Sequence, residues 1–241
     1  MLKPKIIQYG ENCLLLNWPE KINIKIHQIV LNYQSWIEKE HSNLIQETNI
    51  GYQSLLVILK NEPDILNLIF QIERVDLQNL STIEITKYLY TIPVCYDTSF
   101  GLDIETLAHQ KNIRISELIE MHTAQIYKVY FTGFLPGFMY LGGLTPSLHS
   151  PRLSRPRLEI PKGSVGIGGG QTGIYPQDSP GGWQIVGRTP LKLFEQTSNV
   201  PVLCKPGDYV QFENISLSEF QTIERQVQLN GYKIRKEIKD D

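Results

Sequence analysis

The glycines and prolines of this chain are not spread evenly along it. Residues 133–187 hold 13 of its 18 glycines, and residues 133–190 hold 8 of its 14 prolines. Before residue 91 the only glycines are Gly10 and Gly51. Glycine weakens helix interiors and proline breaks them, so the rich stretch must run as short strands and turns. The segment before it is free of that restriction and can carry regular helices and strands. The expected fold class is therefore α+β, with a small N-terminal α/β sandwich domain over 1–90 and a turn-rich β domain over 91–241.

In the first part, residues 5–9 and 13–17 read as strands around Gly10-Glu11-Asn12. Ile22, Ile26, Ile29, Val30, Tyr33 and Ile37 recur at helical spacing, which predicts an amphipathic helix over 22–38. Residues 44–48 and 52–59 read as a strand pair, Pro63 as the first turn of a helix running to Arg74, and 83–90 as a further strand. That order suits a sheet with helices on one face.

Helices are expected next over 104–110 and, after Ser116 as N-cap, 117–125. The pair looks superficially like a helix-turn-helix. Its second helix has Glu117 and Glu120 but no Lys or Arg, so it has nothing with which to grip phosphates. Short strands over 127–131, 165–167, 183–187, 191–194 and 209–213, cut by turns, point to a barrel or sandwich. Ser216 and Glu219 have capping-box spacing before a last helix that stops near Gly231.

With 23 Lys+Arg against 25 Asp+Glu in 241 residues, the formal net charge is −2, which excludes the basic profile of a general nucleic-acid binder. No apolar run approaches the roughly 20 residues that cross a bilayer. The opening Met1-Leu-Lys-Pro-Lys lacks a signal-peptide core, so a cytoplasmic location is expected. Cys13, Cys95 and Cys204 lie far apart without metal-ligand spacing; reduced, mostly buried thiols and no metal site are expected.

Residues 130–190 carry Arg152, Arg155, Arg157, Lys162 and Arg188 against Glu159 and Asp178, a local +3 that leaves −5 elsewhere. Pro151 and Pro156 keep the first three arginines in an extended or turning loop. Arginine recognises carboxylate or phosphate bidentately, and proline lowers the entropy lost in ordering such a loop. Two readings stay open: arginines paired with surface acids, or an anionic ligand site. Gly168-Gly-Gly-Gln-Thr-Gly173 matches G-x-G-x-x-G, but Pro176 and Ser179-Pro-Gly-Gly follow where a dinucleotide fold needs a helix. A tight β-turn and an anion-binding nest of backbone N–H groups are both compatible with it. For acid–base work the candidates are His122, His149, Asp178 and Glu159, and no G-x-S-x-G elbow accompanies them.

The run Phe131-Thr-Gly-Phe-Leu-Pro-Gly-Phe-Met-Tyr-Leu-Gly-Gly-Leu144 closely resembles a signature of the KipI / allophanate hydrolase subunit 1-like family. So do Pro151-Arg-Leu-Ser-Arg-Pro-Arg157, Pro161-Lys-Gly-Ser-Val-Gly166, Gln171-Thr-Gly-Ile-Tyr-Pro176 and Ser179-Pro-Gly-Gly-Trp-Gln-Ile-Val-Gly-Arg-Thr-Pro190, with His122-Thr-Ala-Gln-Ile-Tyr127 as lead-in. The resemblance implies a C-terminal cyclophilin-like β-barrel. It also implies work inside a bacterial ATP-dependent 5-oxoprolinase, which opens 5-oxoproline to glutamate and is inactive without its other components. The implied partners are an allophanate hydrolase subunit 2-like protein and a LamB/YcsF-type protein, with ATP and its Mg²⁺ as cofactors. On this basis His122 and Arg188 are the expected catalytic groups. Arg152, Arg155, Arg157, Gly169, Gln171, Tyr175 and Trp183 are the expected substrate- or phosphate-binding residues. The alternative is a protein module that binds and inhibits a sensor histidine kinase; under either reading Phe134, Phe138, Tyr140 and Trp183 are candidates for a partner-binding groove. A cyclophilin-like fold by itself implies no prolyl isomerase activity.

Overall fold

The computed structural model describes residues 2–19, 23–60, 64–76 and 86–239. The chain forms two compact units, Met1–Ile85 and Thr86–Asp241. In the first, strands β1 (Lys5–Gln8), β2 (Cys13–Asn17), β3 (Ile45–Ile50) and β4 (Ser54–Leu59) make a four-stranded antiparallel sheet in the order β1-β2-β4-β3. Alternation puts Leu14, Leu16, Leu55, Val57 and Leu59 on one buried face. Helix α1 (Ile24–Glu40) covers that face with Val30, Tyr33 and Ile37, and α2 (Ile65–Arg74) with Leu68 and Ile72. Both helices start on a side-chain cap: Asn23 accepts from the Lys25 N–H at 2.8 Å, and Asp64 from the Asn67 N–H at 3.0 Å. The helices expected to begin at Ile22 and Pro63, and residues 83–85 of the next expected strand, have those positions outside the described residues.

The second unit contains β5 (Tyr88–Val94), α3 (Ile104–Lys111), α4 (Ile115–Thr123), β6 (Ile126–Thr132), β7 (Met139–Gly142), β8 (Arg157–Ile160), β9 (Ser164–Gly168), β10 (Gln171–Ile174), β11 (Ser179–Gly181), β12 (Gln184–Arg188), β13 (Tyr209–Asn214), α5 (Leu217–Gln228) and β14 (Arg235–Ile238). Eight of these strands form one sheet in the order β12-β9-β10-β7-β6-β13-β5-β14, and β8 pairs separately with β11. Because β5 lies between β13 and β14, its pairing belongs wholly to the second unit. The boundary expected after residue 90 therefore falls inside a strand.

The sheet curls until Cys95, just past β5, exchanges two 2.9 Å hydrogen bonds with Arg188 at the end of β12. This is a single bridge and not a ladder, so no closed barrel forms. The pairing stops there because the Thr189 N–H turns to the Gly163 carbonyl and Pro190 has no N–H to give. Residues 191–194, expected as a strand, contribute only an isolated bridge between Phe194 and Val202.

Glycines in this unit occupy strand interiors as well as turns. A Cβ on Gly168 would lie 2.6–2.7 Å from the indole of Trp183, and one on Gly173 would lie 3.0 Å from it. Trp183 is only 4% exposed, so it rests on backbone that must carry no side chain. Strands β7 and β10 were invisible to periodicity for this reason: their glycines read as turn signals while serving as space for rings.

His122, expected to be catalytic, is fully buried at the end of α4. Its Nδ1 lies 2.7 Å from the Tyr96 hydroxyl and its Nε2 lies 3.0 Å from Thr172 Oγ1. The Thr172 hydroxyl donates to the Gly166 carbonyl at 3.0 Å, so it accepts from His122; Nε2 carries the proton and Nδ1 accepts from Tyr96. The ring stacks on Phe212 at 4.7 Å. Both ring nitrogens are thus hydrogen-bonded within the core, the setting of a satisfied buried histidine.

Two outcomes follow from the packing. Burial lowers the His122 pKa to about 3, so the folded state holds the ring neutral while the unfolded chain protonates it near its usual 6.5. Stability is then intact above pH 6.5 and falls as pH drops from 6.5 toward 3, by about 3 kcal/mol at pH 4. Thermal unfolding at pH 7 and pH 4.5 should show a smaller acid drop for His122→Gln than for the parent chain. Gly168→Ala, which must displace Trp183, should cost roughly 1–3 kcal/mol in urea unfolding.

Candidate active site

A small aromatic cluster stands apart from the main core of the second unit: Phe138, Ile160, Tyr175, Trp183 and Ile185. Phe138 is its centre, edge-on to Trp183 at 5.5 Å and to Tyr175 at 5.4 Å, with Tyr140 tilted at 4.9 Å. Above the cluster opens a cleft of about 300 Å³, lined by Phe134, Phe138, Tyr140, Arg152, Tyr175 and Trp183 among others.

Phe134 forms the outer wall. It is 60% exposed, has φ +70°, and meets Phe138 edge-on at 5.6 Å. The other described non-glycine residues with positive φ are Asn112 and Asn230, a residue type that tolerates this region. A phenylalanine held there stores strain of order 1 kcal/mol, which marks the position as one where the ring's placement matters.

Arg152 reaches this cleft from a loop tied down on three sides. Ser150 and Gly169 exchange two backbone hydrogen bonds, the Gln184 side-chain amide donates to the Pro151 carbonyl at 3.3 Å, and the Leu153 N–H donates to the Gly182 carbonyl at 2.7 Å. The Arg152 guanidinium lies 5.7 Å over the Trp183 ring, without a hydrogen bond or ion pair among the described residues. Burial raises the pKa of Tyr140 and Tyr175, and the charge of Arg152 partly offsets this at both.

The other expected residues sort differently. Arg157 forms a two-bond pair with Asp103, at 3.0 and 2.6 Å, and the same carboxylate accepts from the Ile185 N–H at 2.6 Å. This arginine is spent on joining β8 to the start of α3 and to β12, and no sequence spacing pointed to Asp103 as its partner. Arg155 is exposed and has no partner among the described residues. Gly169 has φ +66° as the first residue of the two-residue turn between β9 and β10, the conformation of a II′ hairpin. Its N–H bonds Ser150, so the glycine run is a hairpin tip and not an anion nest. Gln171 opens β10 opposite Gly168.

Arg188 lines a second cleft of about 280 Å³, with Lys162, Gly163, Lys192, Glu195 and Glu224. Its Nε donates to the Lys162 carbonyl at 2.9 Å and its guanidinium lies 5.5 Å over Phe100. Lys192 pairs with Glu195 at 3.3 Å, while the Lys162 ammonium has no partner among the described residues. Lys162, Lys192 and Glu224 were not singled out from sequence, although Lys162 was counted in the local charge. Among the described residues no three His, Cys, Asp or Glu side chains gather to hold a metal ion, and no helix is long and apolar enough to cross a membrane.

Residues 4–204 match the family model described as carboxyltransferase domain, subdomain C and D. The chain is 37% identical over 227 residues to the B subunit of 5-oxoprolinase from Bacillus subtilis, covering 90% of this chain and 95% of that protein. It is 43% identical over 164 residues to the B subunit of 5-oxoprolinase from Escherichia coli O157:H7, covering 67% and 74%. The urea amidolyase structure from K. lactis superposes with a TM-score of 0.79 at 20% identity, over 99% of this chain and 16% of that one, and shows a shared fold. These matches bear out the resemblance carried by the motifs at 131–190, and the chain belongs to the carboxyltransferase-domain family, subdomain C and D, alongside those 5-oxoprolinase components.

Proposed function

We propose that this chain is the B component of a cytoplasmic, ATP-dependent 5-oxoprolinase that opens 5-oxo-L-proline to L-glutamate. It acts with an allophanate hydrolase subunit 2-like protein and a LamB/YcsF-type protein, and is inactive alone. The observation that carries this reading is the unpaired Arg152 lying over Trp183 at an aromatic cleft, in a chain related over nearly its whole length to proteins of that name. The curled sheet of the second unit is the counterpart of the cyclophilin-like barrel in this reading.

Opening an unstrained lactam is helped by phosphoryl transfer from ATP to its oxygen, releasing ADP: one water adds to the activated carbon, the C–N bond breaks as the nitrogen takes up a proton, and a second water releases phosphate from the resulting acyl phosphate. The developing charge needs cations. Lys162, Arg188 and Lys192 are the residues that would face it, since the Arg152 cleft offers one cation over an apolar floor. Mg²⁺ would arrive on the nucleotide phosphates and keep much of its own water. In this division of labour Arg188 and Lys162 neutralise the phosphoryl group, and Asp103 with Arg157 keeps the intervening loop in place.

The test is reconstitution. Glutamate release from 5-oxoproline should require this chain, both partner proteins and ATP, and Arg188→Ala should lower kcat by about tenfold or more. Turnover unchanged by Arg188→Ala would remove the phosphoryl role from this cleft. A folded but inert mixture that instead retains a sensor histidine kinase would replace the enzyme reading with the kinase-binding one.

A further inference from the structure

Resting on that reading, we propose that the Arg152 cleft is the substrate subsite and grips 5-oxoproline by its carboxylate. The ring would lie on Trp183 and Phe138, with Phe134 as its outer wall. Three features of the cleft select this class of ligand. The first is charge: Arg152 is the sole cation among the residues lining it, no carboxylate lines it, and Arg152 has no ion pair among the described residues. One guanidinium over an apolar floor matches a small monoanion, which it can hold by two parallel hydrogen bonds. A triphosphate needs several donors and is poorly served here.

The second is shape. The walls are aromatic faces and edges from Phe134, Phe138, Tyr140 and Trp183, around a space of about 300 Å³. Such surfaces bury flat or saturated five-membered rings and discriminate little among polar heads. The third is the neutral polar complement. Tyr140 and Tyr175 both bring a phenol to the cleft lining, and the Tyr140 hydroxyl has no partner among the described residues. Both phenols stay protonated, since burial raises their pKa, so they can donate to a lactam carbonyl but offer no negative charge to repel the carboxylate. Backbone hydrogen bonds at 150, 151 and 153 hold the loop that carries Arg152, so the loop itself needs no ordering on binding.

Saturation-transfer NMR on the full chain tests this with three probes: L-5-oxoproline, 2-pyrrolidinone, which lacks the carboxylate, and inorganic phosphate. L-5-oxoproline should bind about tenfold or more tighter than 2-pyrrolidinone, and phosphate should not displace it. Arg152→Gln should erase the preference, and Arg152→Lys should restore part of it. Equal binding of the two lactams, displacement by phosphate, no binding of 5-oxoproline, or a preference that survives Arg152→Gln would each overturn the assignment. In the reconstituted complex Arg152→Gln should raise KM for 5-oxoproline. Normal turnover with unchanged KM would sink the carboxylate subsite and leave the enzyme reading standing. An inert complex in which this chain still prefers 5-oxoproline through Arg152 would do the reverse.

Discussion

The second unit depends on one packing constraint: an indole lying on backbone without side chains. Trp183 covers Gly166, Gly168 and Gly173 of two adjacent strands at distances where any Cβ would collide or crowd. Phe138 and Tyr175 complete the cluster, and Gly181 is held to glycine by the Tyr175 hydroxyl, 2.4 Å from where its Cβ would sit. The rings take volume from the sheet, and the sheet gives it by omitting side chains. Close packing of this kind leaves no slack, so the buried rings of Phe138, Tyr175 and Trp183 beneath the cleft are set by the fold and not by a ligand.

The arginine-rich segment shows how the same residue type divides between holding and recognising. Arg157 finds a carboxylate that also binds the backbone of β12, so its charge is satisfied inside the structure. Arg152, five positions earlier, is carried on backbone fixed at 150, 151 and 153 and ends over an aromatic ring with its hydrogen-bonding edge unspent. Arg188 is intermediate, with one N–H given to the Lys162 carbonyl and its guanidinium over Phe100, at a cleft lined by Lys162, Lys192, Glu195 and Glu224. An unpaired guanidinium on an ordered loop keeps its capacity for a ligand.

Legibility from sequence followed the same physics. In the first unit, strands and helices bury one face each, so period-2 and helical spacing locate all of the described elements to within a few residues. In the second, glycines of β7, β9 and β10 answer to rings that are distant in sequence, and periodicity had no access to that. The grouping of Arg152, Tyr175 and Trp183 was anticipated by type but not by geometry. The burial of His122 was hidden because a histidine at the end of an apolar helix carries no local sign of Tyr96 and Thr172, which lie 26 and 50 residues away. The Asp103–Arg157 pair, separated by 54 residues, was hidden in the same way.

The central claim is that one arginine, carried on a tied loop over one buried indole, defines where the substrate's carboxylate goes. A crystal structure of the chain soaked with L-5-oxoproline tests it most directly. The carboxylate is expected at about 3 Å from the Arg152 guanidinium, with the ring against Trp183 and Phe138. Density for the ligand at the Arg188 cleft instead, or with its carboxylate turned away from Arg152, would contradict the account.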